Sequence, residues 1–335
     1  MPETSPSRPW IETPLLESRA LSKLNGCRVF LKLENLQPSK SFKSRGIGNF
    51  IVESIKSDPS RTPHFYISSG GNAGLACVTA ASTLGYKATV VVPLSTKPMM
   101  IEKLKIAGAD VIQNGATWFH ADTYLREELL DKDSNGVYVP PFDHHHVWEG
   151  ASTMTEEWEK QLSIIDGNKN ERTNADLVVC SVGGGGLFCG IMKGIFSNER
   201  KTKVLTVETI GAESLYKSIE KGELITLPGI TSIATSLGAV TVAPKAFEYA
   251  NENKDLVKSI VVKDEQAVKA LLKFASEENL IVEPACGATL APAYEGRLKE
   301  LFPDLKEDSK VVLVVCGGSA VNLELLDEWQ RKYIT

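Results

Sequence analysis

The chain has 335 residues, a length that suggests about two domains. Hydrophobic residues make up 42% and charged residues 24%, the profile of a soluble globular chain with a full-sized core. A net charge of −5 with no long basic run argues against a nucleic-acid binder, and no apolar run approaches the length of a membrane span.

Met1 to Pro9 is polar and Pro-rich, without the apolar core of a signal peptide, and reads as a loose arm. Arg28 to Leu33 reads as a strand. Phe42 to Lys56 has apolar residues at helical spacing (Ile47, Phe50, Ile51, Ile55) and reads as a helix. His64 to Ile67 is a strand, and Ala73 to Leu84 a small-residue helix that packs closely. Next come a strand (Ala88–Val92), a helix with Pro in its first turn (Pro98–Ala107) and a strand (Asp110–Gln113). Trp118–Leu130 is a helix and Val137–Val139 a short strand.

Beyond these, Gly150–Leu162 reads as a helix, Ala175–Val182 as a buried strand, and a helix runs from the glycine turn to Phe196. Val204–Glu208 and Ser259–Val262 are strands, Asp264–Glu277 a helix, and Lys310–Cys316 an apolar strand. The polar stretch Asp166 to Asn174 reads as a surface loop. Strand–helix alternation predicts an α/β fold of two open, twisted, mostly parallel sheets with helices on both faces. Such sheets bind ligands at the carboxyl ends of their strands. Three glycine-bearing loops sit there, after Ile67, Val182 and Val315.

The cysteines Cys27, Cys77, Cys180, Cys189, Cys286 and Cys316 form no CxxC pair and lie mostly among apolar or small residues. They suggest small core groups in a reducing, cytoplasmic setting.

Gly183-Gly184-Gly185-Gly186, between a strand and a helix, exposes successive amides at a helix N-terminus and suits a phosphate; the plainer reading is a tight turn. Its spacing does not match G-x-G-x-x-G, because Phe188 and Cys189 stand at the candidate third positions. Ser68-Ser69-Gly70-Gly71-Asn72-Ala73-Gly74 could hold a carboxylate or simply cap a helix. Cys316, ahead of Gly317-Gly318-Ser319, is either core or a weak neutral hydrogen-bond partner for a ligand ring. His144-His145-His146 suggests metal but lacks a separated partner motif, and adjacent side chains on an extended segment point apart. Glu156, Glu157 and Glu159 read as a solvated helix face. In Gln37-Pro38-Ser39-Lys40-Ser41-Phe42-Lys43-Ser44-Arg45-Gly46, a lysine follows a Pro/Ser turn at a helix start. Such a lysine is chemically useful only if its pKa is lowered beside a carbonyl partner; otherwise Lys43 is one solvated lysine among many.

Taken together, Pro-Ser-x-Ser-Phe-Lys-x-Arg-Gly (38–46), Ser-Ser-Gly-Gly-Asn-Ala-Gly (68–74), Ser-Val-Gly-Gly-Gly-Gly-Leu (181–187), Glu-Pro-Ala-Cys-Gly-Ala (283–288) and Val-Cys-Gly-Gly-Ser (315–319) resemble the L-serine/L-threonine dehydratases. These are pyridoxal-5′-phosphate (PLP) enzymes of the tryptophan-synthase-β group, fold type II. The resemblance runs from about Thr13 to the last helix, with the motifs in family order. It implies a large cofactor-binding domain of residues 1–37 and 145–335 and a small domain of residues 38–144.

The resemblance also implies roles. Lys43 bonds the cofactor and, once freed, removes the Cα proton. Phe42 packs on the cofactor ring, Asn72 bonds its 3′-oxygen, and Cys316 faces its pyridine nitrogen. Gly183, Gly184, Gly185 and Gly186, with Leu187, cradle its phosphate. Ser69, Gly70, Asn72 and Ala73 take the substrate carboxylate. Glu208, Ala212 and the Leu237–Ala239 turn lie near a monovalent cation, expected to be potassium.

The implied reaction is β-elimination, from L-serine to pyruvate and ammonia and from L-threonine to 2-oxobutanoate. The implied setting is amino-acid catabolism and gluconeogenesis in the cytoplasm, as a homodimer with small-molecule substrates and neither nucleic-acid nor membrane partners. A serine racemase is an alternative, disfavoured because Gly70 offers no second base. One departure stands out. The family usually has Gly where this chain has Lys40, a change expected to depress the Lys43 pKa by like-charge repulsion or to crowd the phosphate. A catalytically impaired, cofactor-binding homologue is therefore the other alternative.

Overall fold

The computed structural model describes residues 8–167, 172–197 and 201–334. Residues 168–171 of the expected loop and residues 1–7 of the expected arm lie outside that set. The strands are β1 (Leu15–Glu17), β2 (Arg28–Lys32), β3 (His64–Ile67), β4 (Lys87–Val92), β5 (Asp110–Gln113), β6 (Gly136–Tyr138), β7 (Leu177–Ser181), β8 (Lys203–Thr209), β9 (Val257–Val262) and β10 (Lys310–Val314). They form a four-stranded sheet, β5-β4-β3-β6, and a six-stranded sheet, β1-β2-β10-β7-β8-β9. Every pairing is parallel except β1 with β2. The α/β architecture is the one the strand–helix alternation predicts.

The chain divides into two compact units, Met1–Ile11 with Leu36–Ala151, and Glu12–Asn35 with Ser152–Thr335. Residues 8–11 belong to the smaller unit for a packing reason. Gly48 leaves room for Pro9 and Trp10, whose nearest atoms lie 3.0 and 3.1 Å from where a Cβ would stand. Gln37 then clamps Ile11, accepting its amide at 3.1 Å and donating to its carbonyl at 2.8 Å. Pro9 is buried, so the last residue of the expected loose arm is anchored.

The helix His145–Ile165 crosses from one unit to the other, and starts five residues before the expected Gly150. Its first turns pack on the helix Lys43–Ser57. Gly46 and Gly150 permit this, since a Cβ would stand 2.7 Å from the Val147 carbonyl and 2.2 Å from the Arg45 carbonyl. Its later turns belong to the larger unit, where Thr155 fills the space over Gly194 and Glu157 pairs with the fully buried Lys32 at 2.8 Å. The expected solvated face is therefore only partly one. Glu156 is exposed, Glu157 is half-buried on Lys32, and Glu159 is buried, with Arg172 at 4.0 Å.

In the smaller unit, the helix Asn72–Thr83 lies close to its own entry loop. A Cβ at Gly74 would stand 1.9 Å from the Ser69 carbonyl, which explains the small-residue run. The expected single helix over 118–130 is α-helical for Trp118–Tyr124 only. It widens into a π-turn at Leu125–Leu129 and tightens to 3₁₀ at Leu130–Lys132.

In the larger unit, β7, β8 and β10 are buried almost throughout. The helix Pro284–Tyr294 is buried at every residue. No helix among the described residues is long and apolar enough to cross a membrane.

Each sheet reverses its winding once. In the four-stranded sheet the chain runs β3 to β4 to β5, then returns to place β6 on the other side of β3. In the six-stranded sheet it runs β7 to β8 to β9, then returns to place β10 on the other side of β7. Loops leaving the carboxyl ends of strands at such a reversal splay apart and open a crevice for ligand.

Candidate active site

In the smaller unit the reversal places the loop after β3, Ser68–Gly71, beside the loop after β6. Ser69, Gly70, Asn72 and Ala73 belong to the first of these loops and the helix start that follows it. Lys43 joins the second. It is the first residue of the helix Lys43–Ser57, and its Nζ donates to the Pro141 carbonyl at 2.6 Å. The ammonium stands 5.3 Å from the Phe42 ring centre and 5.9 Å from that of Phe142. Burial of the amine among these groups pushes Lys43 down to about 8.

The turn before Lys43 is held by Lys40 N to Gln37 O at 2.7 Å and by the Ser39 and Ser44 hydroxyls, 2.7 Å apart. Lys40 has φ +64°, in the left-handed region that glycine occupies at no cost. A glycine, which the resemblance leads one to expect at this position, would adopt that backbone conformation freely. The Lys40 side chain is exposed, and burial is the cause of the Lys43 shift. The expected like-charge effect of Lys40 is therefore corrected; what Lys40 carries is backbone strain. Among the described residues the Ser41 and Ser68 hydroxyls near this site are buried and have no hydrogen-bond partner.

In the larger unit the reversal places the loop after β7 beside the loop after β10. The first holds Gly183–Gly186 and opens the helix Gly186–Phe196. Two of its glycines are sterically required. A Cβ on Gly183 would stand 2.9 Å from Leu237 Cα, and Gly185 has φ +91° with Ala246 Cβ 2.7 Å from the Cβ position. The first intrahelical bond is Cys189 N to Gly185 O, so the amides of Gly186, Leu187 and Phe188 have no acceptor within the helix. This is the chemistry of a phosphate cradle.

The second loop begins with Cys316, 5% exposed, whose thiol lies 3.6 Å from the Ser181 hydroxyl. All six cysteines are buried, and among the described residues none forms a disulfide. Each unit by itself offers a group that suits PLP: the smaller a desolvated amine of the kind that bonds an aldehyde, the larger a glycine cradle of the kind that holds a phosphate.

The residues expected near a cation also lie in this unit. Glu208 is fully buried, and its two oxygens accept the amides of Leu215 (2.9 Å) and Tyr216 (2.7 Å). Burial pushes its carboxyl up to about 8, and the Glu213 charge adds to this. Ala212 and Leu237 are buried and Ala239 half-buried. Leu237 lies in the 3₁₀ turn Thr235–Leu237 that packs on Gly183.

The three histidines do not point apart as an extended segment would make them. The helix begins at His145, and the ring centres lie close together: His144 stacks on His145 at 4.3 Å, while His146 is tilted against both at 5.2 and 4.0 Å. Among the described residues no group of three or more His, Cys, Asp or Glu could hold a metal ion. Sequence reasoning missed the Pro141 carbonyl and Glu283. A backbone carbonyl leaves no signal of its own type, although the Pro140-Pro141 pair marks the turn that presents it. Glu283 lay inside a quoted motif without a role.

Comparison with known proteins agrees with this geometry. Residues 7–317 match the family described as pyridoxal-phosphate dependent enzyme. The chain is 42% identical over 324 residues to an L-serine dehydratase of Saccharomyces cerevisiae, covering 93% of this chain and 94% of that one. It is 42% identical over 321 residues to the L-serine dehydratase/L-threonine deaminase of Bos taurus, covering 94% and 93%. The crystal structure of a fungal L-serine ammonia-lyase from Rhizomucor miehei superimposes with a TM-score of 0.87 at 35% identity, covering 97% of this chain and 99% of that one. A lysine desolvated at a helix start and a glycine cradle at a sheet reversal thus occur in a chain that belongs to the family of pyridoxal-phosphate dependent enzymes.

Proposed function

We propose that the chain is an L-serine ammonia-lyase: it eliminates water from L-serine to leave an aminoacrylate, which is released and takes water back to give pyruvate and ammonia, and it acts likewise on L-threonine to give 2-oxobutanoate. The observation that carries this reading is the Lys43 amine, pushed down to about 8 and held at 2.6 Å from the Pro141 carbonyl. When bound, PLP supplies the electron sink that makes the substrate Cα–H acidic.

The protein's own residues do the rest. Lys43 is the amine that would hold the cofactor and would serve as the base for the Cα proton. At a pKa of about 8, about a tenth of its free amine is neutral at pH 7, against fewer than about one in a thousand for an ordinary lysine. Ser69, Gly70, Asn72 and Ala73 hold the substrate carboxylate, and Asn72 bonds the cofactor's 3′-oxygen. Phe42 packs on the cofactor ring. Gly183 to Gly186 and Leu187 grip the phosphate. Cys316 would offer the pyridine nitrogen of a bound cofactor a thiol, not a carboxylate, and a neutral thiol would not hold a proton on that nitrogen.

Glu208, with the carbonyls of Ala212, Leu237 and Ala239, takes a potassium ion. Its fully buried carboxylate, with two amides and a like charge beside it, fits a cation. We also infer a cytoplasmic homodimer serving amino-acid catabolism and gluconeogenesis, on the resemblance of the motifs.

The racemase reading is weaker. It needs a second base at position 70, where a Cβ would stand 2.7 Å from Thr96 Cγ2. Purified protein given PLP should release keto acid from L-serine, and Lys43→Ala should remove both that activity and the absorbance of the bound cofactor. Racemised serine without keto acid would favour the racemase. Cofactor absorbance without turnover would favour the impaired homologue.

A further inference from the structure

Glu283, in the motif Glu283-Pro284-Ala285-Cys286-Gly287-Ala288, has no role so far. It is 3% exposed and stands at the N-terminus of the helix Pro284–Tyr294, yet makes no side-chain capping bond to that helix. Its carboxylate reaches outward, with Oε2 accepting the Ser236 hydroxyl and Oε1 accepting the Ala320 amide at 2.6 Å.

Each contact ends on a loop of the candidate site. Ser236 is in the 3₁₀ turn under the glycine cradle, where its carbonyl lies 3.1 Å from the Cβ position of Gly183. Ala320 closes the loop that begins at Cys316. Between them Gly318 has φ +131°, and a Cβ there would stand 2.2 Å from Glu283 Cδ, so the loop rides directly on the carboxylate.

We propose that Glu283 is a positioning residue: one buried carboxylate braces the turn under Gly183 and the loop of Cys316, and so sets both where the cofactor meets them. The inference rests on the functional reading above. A carboxylate suits the task because it only accepts, and can hold a hydroxyl and an amide at once. Glutamine keeps one acceptor for Ala320 and lets the Ser236 hydroxyl turn round to accept. Alanine leaves both donors without their acceptor.

The test is titration of the cofactor-free protein with PLP, followed by fluorescence and by the absorbance of the bound cofactor. Glu283→Ala should bind PLP about tenfold or more weakly than wild type, with a displaced absorbance maximum. Glu283→Gln should restore affinity to within about threefold and restore the maximum. Ser236→Ala, which removes one contact, should fall between the two. If Glu283→Ala fails to fold, Ser236→Ala decides: wild-type affinity and spectrum there overturn the proposal. So does a folded Glu283→Ala protein with wild-type affinity and spectrum, since a purely structural residue would lower only the melting temperature. Wild-type protein that binds no PLP would sink the functional reading itself.

Discussion

Lys43 carries a thermodynamic signature that does not require turnover. Its folded-state pKa of about 8 lies below the ordinary 10.5. Between those values the unfolded chain holds a proton that the folded chain has released, so stability of the cofactor-free protein should rise with pH across that window. Lys43→Met should therefore stabilise the cofactor-free protein at pH 7 by on the order of 1–3 kcal/mol, with a gain that shrinks toward pH 10.5. Urea denaturation at pH 7 and pH 10.5 measures it, and equal gains at both would contradict it.

Glu208 has the opposite sign. Its folded pKa of about 8 exceeds the ordinary 4.5, so stability should fall as pH rises between them. Potassium paired with the ionised carboxylate should offset that fall. Melting temperatures at pH 5 and pH 8.5, in KCl and in tetramethylammonium chloride, separate the two salts; equal curves would remove the cation from the account. Lys40→Gly should raise stability by about 1 kcal/mol or less, because the relief of φ +64° is partly offset by the freer unfolded glycine. A loss of stability there would mean the lysine side chain makes a favourable contact.

At the scale of elements, binding depends on loops whose shape forbids side chains. Gly183→Val would drive its branched side chain into the Leu237 backbone and should weaken PLP binding about tenfold or more. Gly229→Ala is the control, since nothing lies within 4 Å of its Cβ position. Equal affinities in a fluorescence titration would show that the glycine loop does not hold the phosphate.

Elements with a polar side were legible in advance. The strands His64–Ile67 and Asp110–Gln113 agree residue for residue with the sequence expectation. The helix Pro284–Tyr294 was not legible, because it is buried on every side and no apolar–polar period marks it. The short helix Arg19–Asn25 was also missed, although Ser18 caps it and Gly26, at φ +62°, ends it.

For the whole molecule, cofactor binding and folding are linked. PLP at a hundredfold excess over its Kd should stabilise the folded chain by about 2.7 kcal/mol, seen as a rise in melting temperature that grows with concentration. A melting temperature indifferent to PLP would mean the folded chain does not hold it. Across the molecule, Lys43 was singled out only by the resemblance of its motif to a family, whereas the residue types and their order were enough to determine a parallel α/β fold and the three glycine loops at strand ends. Those follow from local rules: hydrophobic period, turn chemistry and the spacing of a few motifs.

Only the tertiary structure decided which groups surround those residues. The Pro141 carbonyl lies 98 positions from the Lys43 amine it receives. Glu283 binds loops 47 positions before it and 37 after it. The lowered pKa of Lys43 comes from burial, which belongs to the packed chain. Contacts between distant positions depend on how sheets wind and helices cover them, and local pattern carries no record of that.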